Sequence, residues 1–182
     1  MKKEQICTIK EGKIVENGKT VFDLETSMPA VEFLTTAYRA LGFNYPKFFK
    51  MDNLCKLAFL AAEVLLQKIV CNESTENLSI VLFNSASSLD NDEKFNASLA
   101  DFPSPSLFVY TLPNVMLGEL CIRHKIYGEN ILFVTEKPNM EQIVEQVKIV
   151  AKETDMRHFI CGYIDFYKEN YEAALMYLSF TD

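Results

Sequence analysis

Cys121 and His124 stand three residues apart in a stretch of helical periodicity, so one face of one helix carries both. A thiol beside an imidazole is the start of a thiolate nucleophile. The same spacing suits a second reading: a small buried thiol, with an imidazole near a helix C-terminus, where a cation is favoured. The catalytic reading also needs an orienting acid and an oxyanion hole, and nothing in the surrounding sequence supplies them. His158 opens an apolar run and reads as a capping or surface residue. Two histidines and five dispersed cysteines (7, 55, 71, 121 and 161, without C-x-x-C) leave a zinc site without ligands. Asp90, Asp92 and Glu93 lack the glycine and terminal glutamate of a calcium loop and read as a solvated loop that starts a helix. Neither G-x-G-x-x-G nor G-x-x-x-x-G-K occurs, which argues against dinucleotide and P-loop sites. No cofactor and no metal is expected.

The remaining candidate is a corner. "GENILFVTEKPNMEQIV", residues 128–144, runs as a buried strand into the first turn of a helix. Such corners hold anions, because free backbone N–H groups and the positive helix end converge there. Here the corner reads Thr135-Glu136-Lys137-Pro138-Asn139, with no Cys, Ser or Gly.

These residues need a scaffold, and the periodicity outlines one. Strands are predicted at 5–10 and 20–24, joined through Gly12 and the turn pair Asn17-Gly18. A helix is predicted over 30–41, with Ser27 as cap and Gly42 as stop. Residues 51–70 form the clearest helix, apolar nearly all round and capped by Asp52. "LSIVLFN" (78–84) is a continuous apolar run, as in a strand covered on both faces. A polar loop then leads into a short helix. Pro103 and Pro105 impose an extended path, and Pro113 opens a helix to about Lys125. A strand at 130–135 and a helix at 139–153 follow, the latter with Asn139 and Gln142 as a capping box. Strands at 158–167 and 174–180 close the chain, the last predicted at the sheet edge. Gly118 lies inside a predicted helix, where glycine costs about 1 kcal/mol against alanine; a close neighbour, another helix or a subunit, would explain it.

The chain has 182 residues, 49% hydrophobic and 24% charged, which suits one globular domain over 1–182. A net charge of −7 repels nucleic acid. The N-terminus lacks an apolar signal region, no apolar run reaches membrane-spanning length, and the dispersed cysteines fit a reduced, cytoplasmic protein.

The stretch "FPSPSLFVYTLPNVMLGELCIRHKIYGENILFV" resembles the middle of β-ketoacyl-[acyl carrier protein] synthases and their chain-length-factor partners. The matching features are Pro105-Ser106, Thr111-Leu112-Pro113-Asn114, Gly118, Ile122-Arg123 and Gly128-Glu129-Asn130. "FFKMDNLCKLAFLAAEVLL" and "MRHFICGYID" resemble the family's early helix and its later strand, so the likeness covers 45–167. It implies an α/β fold: one half of a thiolase-like pair, with a mixed, mostly parallel sheet between helices. In that family a cysteine follows the strand, at a helix N-terminus. Laid on this sequence, the pattern puts Lys137, within one residue, at the nucleophile; the family's catalytic histidines belong to the second half. A protonated amine cannot serve as the acyl carrier. The resemblance therefore implies a non-catalytic partner in fatty acid or polyene (type II polyketide) biosynthesis. It would pair with itself or with a full ketosynthase, and no membrane or nucleic acid partner is expected. Two other readings stay open. One is a module that binds an acyl group or an acyl carrier protein, through Lys47, Lys50, Lys56, Arg123 and Lys125. The other is an acyl-thioester enzyme using Cys121 with His124.

Overall fold

The computed structural model describes residues 2–24, 28–67, 69 and 75–180. Strands β1 (Lys2–Lys10), β2 (Lys13–Glu16) and β3 (Lys19–Asp23) form two successive hairpins. The sequence implied two strands here, not three. The four residues of β2 are bounded by two turns, Glu11-Gly12 and Asn17-Gly18, all four residues at positive φ. Paired positive φ values are what a tight two-residue hairpin turn demands, so each turn reverses the chain and the segment between them becomes a strand. Ser27, the predicted cap of the first helix, lies outside the described residues. That helix, α1 (Ala30–Ala40), follows Pro29, and the Ala30 N–H donates to Glu169 Oε2 at 2.8 Å.

Helix α2 (Asn53–Leu66) is buried along nearly its whole length, and Asp52 caps it by accepting from the Cys55 N–H at 2.9 Å. Strand β4 (Leu78–Asn84) is buried at every residue. Helix α3 (Leu89–Ser98) follows, then α4 (Pro105–Val109) and α5 (Val115–His124). Helix α4 departs from the extended path expected around Pro105. Proline fits the first helical position, where its missing N–H would have had no partner, and the Ser104 hydroxyl accepts from the Leu107 N–H. Strand β5 (Asn130–Val134), helix α6 (Met140–Glu153) and strands β6 (His158–Tyr167) and β7 (Asn170–Ser179) complete the chain.

The sheet order is β3-β2-β1-β7-β6-β4-β5. It is mixed: β4 pairs in parallel with β5 and β6, and the other pairings are antiparallel. The parallel part is thus confined to the end that carries the corner. Strand β7 is interior, between β1 and β6, rather than at the edge expected of it; the free edges belong to β3 and β5. Successive residues alternate between faces. Ile80, Leu82, Ile160 and Ile164 join the core under α1, α2 and α5. Val81, Phe83, Phe159 and Cys161 pack with Ile143, Val147 and Val150 of α6 on the opposite face. Gly162 sits at φ +151°, where an added Cβ would meet the Ala174 carbonyl oxygen at 2.0 Å, so only glycine lets β6 and β7 approach. No described helix is long and apolar enough to cross a membrane.

Candidate functional site

Ligands of open α/β sheets bind beyond the carboxyl ends of parallel strands. Three such ends meet here: Asn84 of β4, Val134 of β5 and Tyr163 of β6, where its parallel pairing with β4 stops. The Thr135 N–H donates to the Asn84 carbonyl at 2.9 Å, pinning the corner to β4. Helix α6 then starts with the capping box expected from the sequence. The Gln142 N–H donates to Asn139 Oδ1 at 2.9 Å, and the Asn139 N–H donates to Gln142 Oε1 at 2.8 Å. These amides, the natural anion donors of such a corner, are already engaged by the protein's own groups.

Between them stands Lys137. Its ammonium donates to Glu172 Oε2 of β7 at 2.6 Å and lies 5.2 Å from the centre of the Tyr163 ring. Beside it a cleft of about 300 Å³ is lined by Lys10, Tyr163, Asp165, Tyr171 and Glu172, among others. The sheet register sets this lining, because Glu172 pairs with Asp165 on one side and with Lys10 on the other.

Asp165 organises the end of β4. Its Oδ1 accepts from Asn84 Nδ2 at 3.0 Å, the Ser85 N–H at 3.2 Å and the Ala86 N–H at 2.8 Å. Ser85 makes a short hydrogen bond to the Tyr163 hydroxyl. Burial raises the Tyr163 phenol above its ordinary value, so it stays protonated near neutrality. Sequence reasoning missed Asp165, Tyr163 and Ser85. A signal existed: one carboxylate inside the apolar run "HFICGYIDFY" is costly to bury unless it is well hydrogen-bonded.

The acidic cluster is more than a solvated loop. Asp90 accepts from the Lys168 N–H at 3.0 Å, and Glu93 accepts from the Tyr167 hydroxyl at 2.8 Å and pairs with Lys168 Nζ at 3.2 Å. These bonds hold the β6–β7 turn against α3. They draw the Glu93 carboxyl below its ordinary value, the Tyr167 bond contributing most. Among the described residues no three His, Cys, Asp or Glu side chains converge in a metal-binding arrangement.

Cys121 and His124 lie on α5, away from the corner. Burial pushes the Cys121 thiol up and the His124 imidazole down. Both shifts favour the neutral pair over thiolate and imidazolium. His124 Nε2 is 3.4 Å from Glu63 Oε1. The same buried carboxylate takes a bidentate pair from Arg123, Nε at 2.7 Å and Nη2 at 3.2 Å. Arg123 also stacks over Tyr45, 5.0 Å from the ring centre. Lys47 pairs with Glu119 at 2.8 Å. Two of the five cations considered for carrier-protein binding are therefore held by carboxylates of the chain itself. His158 is half-buried, its Nδ1 2.6 Å from the Tyr177 hydroxyl.

No protein-family model and no curated protein matches the sequence. Solved structures do match. A chain of a ketosynthase in complex with its chain length factor from Xenorhabdus doucetiae aligns with 99% of this chain and 79% of its own, at 12% identity and a TM-score of 0.68. The ishigamide ketosynthase/chain length factor aligns at 14% identity and a TM-score of 0.70 over 97% of this chain. A type II polyketide acyl-carrier protein complex with its ketosynthase, bound to the hexaketide, aligns at 11% identity and 0.62 over 98%. The chain spans 61% and 63% of the length of these last two. With the seven-stranded mixed sheet and its flanking helices, the likeness establishes that this chain has the thiolase-like fold of ketosynthases and chain length factors.

Proposed function

We propose that this chain is a catalytically silent, chain-length-factor-like subunit. It pairs with a full ketosynthase in polyketide or fatty acid biosynthesis and acts beside the carrier protein that delivers acyl groups. The observation that carries this reading is Lys137, an ammonium ion-paired to Glu172 at the corner where the resemblance puts a nucleophilic sulfur. The four described cysteines lie elsewhere: Cys7, Cys55 and Cys161 are buried, and Cys121 is on α5. An ammonium paired with a carboxylate has no free electron pair with which to take up an acyl group.

A partner surface is also at hand. Strand β5 is a sheet edge, its backbone open to pairing. On α4, on α5 and on the turn between them, Phe108, Val109, Ile122 and Leu112 are exposed. Gly118, one turn before Ile122, has nothing within 4 Å of an added Cβ, so none of the described residues is the close neighbour expected there. A subunit packed on this face would account for both the bare glycine and the exposed apolar residues.

The test is co-expression with a ketosynthase and a carrier protein from the same organism. The chain alone should show no condensation, should co-purify with the ketosynthase, and should change the length of its products. Condensation by the chain alone, or a failure to bind any such ketosynthase, would overturn the proposal.

A further inference from the structure

Helix α6 covers its sheet face with Ile143, Val147 and Val150 and turns the opposite stripe to solvent. That stripe is Glu141, Glu145, Lys148 and Lys152, steps of four, three and four residues that fall on one side of an α-helix. Met140 and Ile149, 45% and 47% exposed, flank it. Two adjoining hollows, about 520 and about 370 Å³, share Lys148 and Lys152; the second has Ala151 and Phe180 as its apolar floor.

The charges are segregated: acids in the first half of the stripe, bases in the second. Like charges four apart, Glu141 with Glu145 and Lys148 with Lys152, destabilise a lone helix. The helix dipole favours an acid in the first turn and a base in the last, but its influence fades within one turn. It accounts for Glu141 and Lys152; Glu145 and Lys148, three apart, are spaced to attract each other. Among the described residues none of the four has an ion-pair partner.

A second copy of the stripe, laid antiparallel, supplies every missing partner. About a two-fold axis midway between Gln146 and Val147, Glu141 meets Lys152 of the other copy and Glu145 meets its Lys148. Both pairs then occur twice by symmetry, as an isologous interface requires. The stripe from Glu141 to Lys152 is about 16 Å long at 1.5 Å per residue, and Met140 and Ile149 would be covered along its sides. We propose that the outward face of α6 is a self-complementary docking surface for a second copy of this chain. It is separate from the β5 edge.

The test separates the two charges. One variant carries Glu141→Lys and Glu145→Lys, the other Lys148→Glu and Lys152→Glu. All four positions are solvent-exposed, so both variants should fold, which circular dichroism checks. In low salt, native mass spectrometry should find the wild-type chain paired and each variant alone unpaired. The mixed variants should form only the basic–acidic heterodimer. Salt near 1 M, where the screening length is about 3 Å, should disperse it. A wild-type chain that stays monomeric, or a statistical mixture of homodimers and heterodimers, would overturn the proposal.

Discussion

Lys137 and Glu172 are joined by a 2.6 Å ion pair that ties the corner after β5 to the start of β7. Lys137 is half exposed and Glu172 28% exposed, so water reaches the pair. Exposed pairs contribute between 0 and about 1 kcal/mol. Lys137→Ala should therefore shift the urea midpoint only slightly. It should leave intact any effect the chain has on a co-expressed ketosynthase. Loss of that effect in a folded variant would show that the amine takes part in chemistry.

Gly118→Ala fills open space on a helix and should stabilise the isolated chain by about 1 kcal/mol. Gly118→Leu should leave the isolated chain folded but weaken its binding to a ketosynthase at least tenfold, because the new side chain stands where the partner would pack. Thermal melts read the first effect and calorimetric titration the second. Unchanged binding in the leucine variant would remove this face of α5 from the interface.

Arg123 is the main partner of Glu63, a carboxylate buried between α2 and α5. Removing one member of such a pair strands the other charge, at a cost of about 3 kcal/mol. Arg123→Ala should lose about that much in urea unfolding. Arg123→Lys should recover only part, since lysine cannot make the bidentate fork or the flat stacking over Tyr45. Replacing Glu63 and Arg123 together by leucines should cost less than Arg123→Ala alone.

The His124 imidazole is held below its ordinary value of 6.5, by burial above all; Glu63 opposes that shift and Arg123 adds to it. Its folded value is therefore lower than its unfolded one, so the unfolded chain binds the extra proton first as pH falls. The stability tied to the neutral ring is fully present above the unfolded value and is lost as pH drops through the folded one. Unfolding free energy should decline from pH 7.5 to 5.5. His124→Asn should flatten that slope, whatever it does to absolute stability.

Thiol labelling separates the two readings of Cys121. It is the most exposed of the four described cysteines and should react ahead of Cys7, whose thiol burial and the nearby Glu16 charge push up to about 12. Burial also raises Cys121 above its usual 9, so its labelling rate should still be climbing beyond pH 9. A plateau below pH 7 would reveal an activated thiolate and favour an acyl-thioester enzyme.

Local signals in the sequence carried much of this architecture. Asp52 and the Asn139–Gln142 box mark the starts of α2 and α6 because each places an acceptor three residues from an orphan N–H. The all-apolar run of β4 revealed a strand covered on both sides. What stayed hidden depended on distant partners. The interior place of β7 follows from pairing with β1, some 165 residues earlier, through contacts such as Ile9 with Ala173. The cleft was illegible for the same reason: Asp165, Glu172 and Lys10 become neighbours only through the register of three strands. The corner itself was readable from its composition, whereas the ion pair that occupies it was not.

The Ser85 and Ala86 amides both donate to Asp165 Oδ1, so the loop after β4 already holds an anion of its own. A negatively charged guest drawn to the Ser85 and Ala86 amides would have to displace the carboxylate that already occupies them.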